Sequence, residues 1–236
     1  MPPSAPTPPC GWGPVAGVDG AAGRWVVARL HEGRVSLTLV DTVAAVLDTT
    51  RDCAAVGVDM PLTVPDAGVR ASELQVRTFL GPARSSLFPT PVRDAVWAAS
   101  WEDACVIARA RTGKAISKQS WYLTDHIRAW DAADPDIARV IEVHPESSFR
   151  ALAPATRFTS KKRARGIAQR LQALSVVVDV PALLEATSAI EDGPAMDDVL
   201  DAVAAAWSAR RWLGGEALEF GDGTRDRRGR PDLIVV

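Results

Sequence analysis

What this 236-residue chain has little of narrows its possible roles first. Its three cysteines, Cys10, Cys53 and Cys105, stand far apart, with no Cys-x-x-Cys pair and no histidine at zinc spacing. An odd, scattered set excludes a disulfide framework and a structural zinc, and it points to a reducing, cytoplasmic setting. No apolar run is long enough to cross a bilayer, so no membrane partner is expected. The proline-rich start lacks both the basic and the apolar region of a secretory signal, and residues 1–14 read as a disordered tail. Positive charge is not in excess either. Lys and Arg number 27 against 29 Asp and Glu, a net charge of −2, which excludes a global basic field for coating nucleic acid. Tyrosine occurs once and tryptophan eight times. Trp97 and Trp101 read as core, and Trp121 and Trp130 as packing or, alternatively, as base-stacking platforms. With 47% hydrophobic residues, 15–236 has ample chain for one large domain.

What is present is a set of aspartates in unusual places. In Met196-Asp197-Asp198-Val199-Leu200-Asp201-Ala202-Val203, a helix begins whose apolar stripe contains Leu200, Val203 and Trp207. Asp197, Asp198 and Asp201 fall on the flank that also carries Ala202, Ala205 and Ala209, small residues that let a helix approach a sheet. First-turn aspartates also serve the helix dipole, so capping is the plainer reading of any one of them. Asp19 and Asp59 end the apolar runs 15–19 and 54–59. Asp19-Gly20 is also a hairpin dipeptide, and Asp59 before Met60-Pro61 could start a turn. Jointly, carboxylates ending apolar strands must be desolvated unless paired, and an all-oxygen Mg²⁺ or Mn²⁺ site is one solution.

Periodicity and turn chemistry predict strands over 15–19, 24–30 and 34–40, a helix over 41–50 and a buried strand over 54–59. A long insertion, 61–136, follows, with helices expected over 71–80, 92–112 and 120–132. A second buried strand is expected over 139–143, then helices over 161–174 and 181–189. The aspartate helix, running to about 213, and a terminal strand over 233–236 complete the order. Strands, helix, strand, insertion, strand and a carboxylate-bearing helix follow the ribonuclease H-like layout: a mixed α/β sheet flanked by helices.

The resemblance becomes specific at the motifs. These are Gly17-Val18-Asp19-Gly20 with Gly23-Arg24-Trp25, Val58-Asp59-Met60-Pro61-Leu62, and Ser85-Ser86-Leu87-Phe88-Pro89-Thr90-Pro91-Val92-Arg93. Thr112-Gly113-Lys114 with Ser117 and Gln119, Glu142-Val143-His144-Pro145-Glu146, and Asp197-Asp198-Val199-Leu200-Asp201-Ala202 complete the set. Over nearly the whole length from Val15, the chain resembles domain-of-unknown-function family 429, predicted nucleases of ribonuclease H-like fold. The resemblance implies a metal-dependent phosphodiester hydrolase that cuts DNA or RNA with two Mg²⁺ or Mn²⁺ ions. Asp19 would bridge the ions, Asp59 would hold one, and Asp198 or Asp201 would complete the shell. The first-helix glutamate of many such nucleases has no counterpart in 41–50, so Glu142 or Glu146 would stand in, with Glu146 preferred because it lies past the strand end.

Residue chemistry adds further candidates. His144 at a strand end suits a proton shuttle or a phosphate contact, or else a hydrogen bond beneath a loop. Glu142, inside an apolar run, requires a partner such as an arginine. Arg70, Arg77, Ser85, Ser86, Arg93 and Gln119 in the insertion suit phosphate oxygens and would wall the cleft. The basic run Lys161-Lys162-Arg163-Ala164-Arg165 reads as a solvated face. Two other functions compete: a nucleotide-binding phosphotransferase of the actin-like kinase branch, and a non-catalytic binding module.

Overall fold

The computed structural model describes residues 13–190 and 193–236, so most of the expected 1–14 tail lies outside the described residues. Strands β1 (Val15–Ala21), β2 (Arg24–His31) and β3 (Arg34–Val40) form an antiparallel meander. The two tight connections, Ala22-Gly23 and Glu32-Gly33, hold both residues at positive φ, which matches the twist of a two-residue hairpin and explains the glycine in each second position. Helix α1 (Val43–Thr49) starts where the Thr42 hydroxyl accepts the Ala45 N–H at 3.1 Å. It carries the chain across to β4 (Ala55–Val58), which lies parallel to β1 with Val18 opposite Val58.

The insertion contains α2 (Ala71–Leu80), a 3₁₀ turn (Gly81–Ser86), α3 (Arg93–Val96), α4 (Trp101–Thr112), α5 (Lys118–Tyr122) and α6 (Thr124–Ala133). The single helix expected over 92–112 is broken, because the Ser100 hydroxyl caps a new start by accepting the Asp103 N–H at 3.1 Å. Strand β5 (Val140–Glu142) then pairs parallel to β4, giving the order β3-β2-β1-β4-β5. This five-stranded mixed sheet flanked by helices is consistent with a ribonuclease H-like α/β fold.

After β5 come α7 (Pro145–Leu152), α8 (Ala164–Leu174), α9 (Val180–Ser188) and α10 (Met196–Leu213). Helix α7 was not expected from the sequence, although Pro145 sits at its first turn as helix-start grammar allows. The terminal strand β7 (Pro231–Val235) begins earlier than expected and pairs with β6 (Glu219–Arg225), an exposed, glycine-bearing strand without an alternating pattern. The hairpin touches the main sheet through one bridge, Val143 to Val235.

Alternation along the strands sorts the core to two faces. Val15, Val26, Ala28, Phe149, Leu200 and Val203 pack on one side; Val18, Val27, Val56, Val58 and Trp130 pack on the other. The core reading of Trp97 and Trp101 needs correction, whereas Trp121 and Trp130 follow the packing alternative. Trp97 ends α3 and is 43% exposed, with the Arg93 guanidinium over its ring, whereas Trp130 is fully buried edge-on against Trp25. Trp101 is only half-buried at the first turn of α4, beneath the Lys118 ammonium, and Trp121 packs partly buried against the α3–α4 cluster.

Helix α10 lies unusually close to the sheet. A Cβ on Gly17 would sit 1.9 Å from the Ala202 carbonyl oxygen and 2.2 Å from the Ala206 nitrogen; one on Gly57 would sit 2.5 Å from the Ala205 oxygen. Glycine on the strands and alanine on the helix therefore permit backbone-to-backbone contact. That contact sets where the first turns of α10 end up.

Candidate metal centre

Asp19 is on β1, one residue beyond the last pairing with β4, and Asp59 immediately follows β4. Parallel pairing brings both positions to the same edge, although β1 itself runs on past the expected end at 19 to Ala21 in its hairpin with β2. The close seating of α10 on Gly17 and Gly57 delivers Asp201 to that edge from above. One carboxylate oxygen from each of Asp19, Asp59 and Asp201 lies within 4.8 Å of the other two. Among the described residues, this is the group of acidic side chains so placed. Asp198, one turn earlier on α10, stays half-buried outside it, and Asp197 ion-pairs with Lys162 at 2.6 Å.

The three carboxylates are an electrostatically costly group. Burial, then repulsion from Asp59 and Asp201, pushes the Asp19 carboxyl well above its ordinary range. Burial and then Asp201 push Asp59 up to about 7; burial raises Asp201 to about 6 against the opposing pull of Lys161. Asp201 is 2% exposed, and its Oδ1 has no hydrogen-bond partner among the described residues. A buried, unpartnered carboxylate oxygen facing two more carboxylates is a donor set suited to a hard divalent cation. The residues present therefore fit Mg²⁺ or Mn²⁺.

The cluster opens into a cleft of about 720 Å³. Its walls include Gly20–Gly23 of the first hairpin, Ser85, Ser86 and Phe88 of the insertion, His126, His144, and Thr159–Lys161. The insertion thus forms one wall, with its serines exposed there. The arginines behave differently from expectation. Arg70 is 3% exposed and gives its guanidinium to Glu142 (2.7 and 2.9 Å) and to Asp232 (2.9 Å), so it supplies the partner that Glu142 requires and has nothing left for a phosphate. Arg77 donates to the Leu87 carbonyl at 3.2 Å and braces the serine loop from behind. Arg93 pairs with Asp131 at 3.1 Å and Asp226 at 3.7 Å, joining the insertion to the terminal hairpin. Neither arginine lines the cleft, and Gln119 is exposed on α5 away from it.

Two other candidates are engaged elsewhere. Both Glu146 oxygens accept from Arg170, at 2.7 and 2.8 Å, which accounts for its place outside the aspartate cluster. His144 Nδ1 lies 2.7 Å from Ser147 Oγ, and the ring also hydrogen-bonds the Ser86 backbone. Burial lowers its pKa to about 4, so near neutrality it is an uncharged imidazole that lines the cleft and ties the serine loop to α7, the alternative hydrogen-bonded role that the sequence also allowed. The residue of the cluster that the sequence concealed is Lys161. Its ammonium contacts Asp201 Oδ2 and lies 3.9 Å from Asp197 Oδ2, so the run 161–165 is not simply a solvated face. Nothing in its local sequence distinguishes it from a surface lysine.

The family model described as "Protein of unknown function (DUF429)" matches residues 17–225. No curated protein and no solved structure matches the chain.

Proposed function

The chain belongs to the DUF429 family of proteins of unknown function, and for this member we propose metal-dependent hydrolysis of phosphodiester bonds in nucleic acid. The observation that carries the reading is the convergence of Asp19, Asp59 and Asp201 within 4.8 Å at the floor of an open cleft. These three residues would hold Mg²⁺ or Mn²⁺. When bound, such an ion polarises a phosphoryl oxygen and makes a coordinated water more acidic.

The chain's own groups supply the rest. Ser85 and Ser86 line one wall; the Ser85 hydroxyl is a donor for a phosphate oxygen there, while Ser86 Oγ donates to the Ala83 carbonyl at 2.9 Å, and neither reads base sequence. Lys161 keeps a positive charge beside the carboxylates, since burial lowers its pKa but Asp201, Asp19 and Asp59 raise it further. A polyanion approaching three carboxylates would otherwise be repelled. Cys53 and Cys105 are buried free thiols, which suits a reducing, cytoplasmic setting. Among the described residues no helix is long and apolar enough to cross a membrane.

The reading is tested with single-stranded and duplex DNA and RNA, with Mg²⁺ or Mn²⁺ and then with EDTA. Cleavage that needs the metal and falls by several orders of magnitude in Asp19→Asn supports it. Full activity in Asp19→Asn removes it. The phosphotransferase alternative would instead give metal-dependent ATP binding in calorimetry.

A further inference from the structure

We propose that Lys161 is a resident cation of the carboxylate cluster, so that the site takes one divalent ion and not two. The inference rests on the reading of Asp19, Asp59 and Asp201 as a metal site. Its own evidence is the division of labour at Asp201: Oδ2 is taken by the Lys161 ammonium, while the buried Oδ1 has no partner among the described residues. One oxygen is spoken for and one is available. Two ions would need the shared carboxylates to be open on both sides, and on the Asp201 side Lys161 stands in the way.

Lys161 is held there by construction. It sits in the loop between α7 and α8, and the residues just before it are clamped from α8. Gln169 Oε1 accepts the Thr159 N–H at 2.8 Å, and Arg170 donates to the Thr159 carbonyl at 2.9 Å while gripping Glu146. Gly166 completes the clamp, since a Cβ there would lie 2.1 Å from the Ser160 oxygen. A chance surface contact would not need an arginine that is 2% exposed and a glycine to seat its loop. Lys162, next in sequence, neutralises Asp197 and leaves Lys161 to the cluster.

Charge balance points the same way. Three carboxylates, one ammonium and one divalent ion are together neutral; a second ion would leave the cluster doubly positive before substrate arrives. An ammonium also needs no coordination shell. It can neutralise a non-bridging phosphate oxygen or the departing oxygen as a point charge.

The test is Mn²⁺ titration of the full chain by calorimetry, with electron paramagnetic resonance of the loaded protein, in the wild type, Lys161→Met and Lys161→Arg. Met keeps the aliphatic stem and removes the charge; Arg keeps the charge. The expected result is one Mn²⁺ with an isolated-ion spectrum in the wild type and Lys161→Arg, rising to two Mn²⁺ with a spin-coupled spectrum in Lys161→Met. Two ions in the wild type, or one ion in a folded Lys161→Met, would overturn the role of Lys161 while leaving the metal site standing. Should Lys161→Met fail to fold, the wild-type stoichiometry decides alone. No Mn²⁺ bound by any of the three would overturn the metal reading and this inference with it.

Discussion

Arg70 and Glu142, 72 residues apart in the chain, meet in a two-pronged ion pair of 2.7 and 2.9 Å with almost no solvent exposure. Arg70 also reaches Asp232, so one guanidinium ties the insertion to β5 and to the C-terminal hairpin. Removing it leaves three buried carboxylates, Glu73, Glu142 and Asp232, without their shared cation, held only by neutral hydrogen-bond donors. Arg70→Met should therefore lower stability by about 3–5 kcal/mol in denaturant unfolding. Any loss of substrate affinity should disappear below the variant's melting range, because Arg70 does not face the cleft.

The aspartate cluster makes a pH-dependent prediction for the metal-free protein. Asp59 is raised from 3.8 to about 7 in the folded state, so folding favours its protonated form. That contribution is complete below about pH 4 and is lost as pH rises towards 7. Asp59→Asn removes the dependence. Its stability relative to wild type should be near zero at pH 4 and at least about 1 kcal/mol in its favour at pH 8. Comparing the two proteins cancels His144, whose lowered pKa acts in the opposite direction as pH falls from 6.5 to about 4. A flat difference across this range would contradict the coupling.

Divalent metal should reverse that repulsion. Because ions bind the ionised carboxylates, Mn²⁺ should raise the melting temperature more at pH 8 than at pH 5. Differential scanning fluorimetry with and without EDTA checks this, and Asp201→Asn should abolish most of the shift. An equal shift at both pH values would place the binding elsewhere.

Gly17 is the hinge between packing and site. Ala at this position would drive a methyl group into the Ala202 carbonyl, and the clash is with backbone on both sides. Gly17→Ala should cost about 3 kcal/mol or more and, in whatever fraction folds, weaken metal binding by pushing α10 away from Asp19. Unchanged metal affinity in a folded Gly17→Ala protein would show that Asp201 is not positioned by this contact.

The insertion offers a contrast between lining and bracing residues. Ser85→Ala should weaken nucleic-acid binding several-fold with little stability change, since Ser85 lines the cleft from an exposed turn, whereas Ser86→Ala also removes the hydroxyl's bond to the Ala83 carbonyl at 2.9 Å. Arg93→Ala should instead lower the melting temperature through loss of Asp131 and Asp226, with the salt dependence of binding unaltered. Binding assays across a salt series separate the two outcomes.

The sequence by itself determined the meander, the buried strands and the aspartate helix, because these are local signals: alternation, glycine turns and a helical apolar stripe. It also determined that Asp59 would close a buried strand and that Glu142 would need a partner; Asp19, expected at a strand end, lies inside β1, which runs on to Ala21, and Asp201 lies in the second turn of α10. Only the tertiary structure decided which charges meet. Arg70, Arg93 and Glu146 looked like site residues because an arginine or glutamate in a loop carries no mark of its partner, and each is committed to an ion pair across 24 to 162 positions of chain. Lys161 looked like surface for the same reason. Strand β6, and with it the hairpin that holds the expected terminal strand, carried no sequence signal because it is exposed and has no face to alternate. Backbone patterns are written within a few residues of themselves, whereas an ion pair is fixed by where two distant segments come to rest.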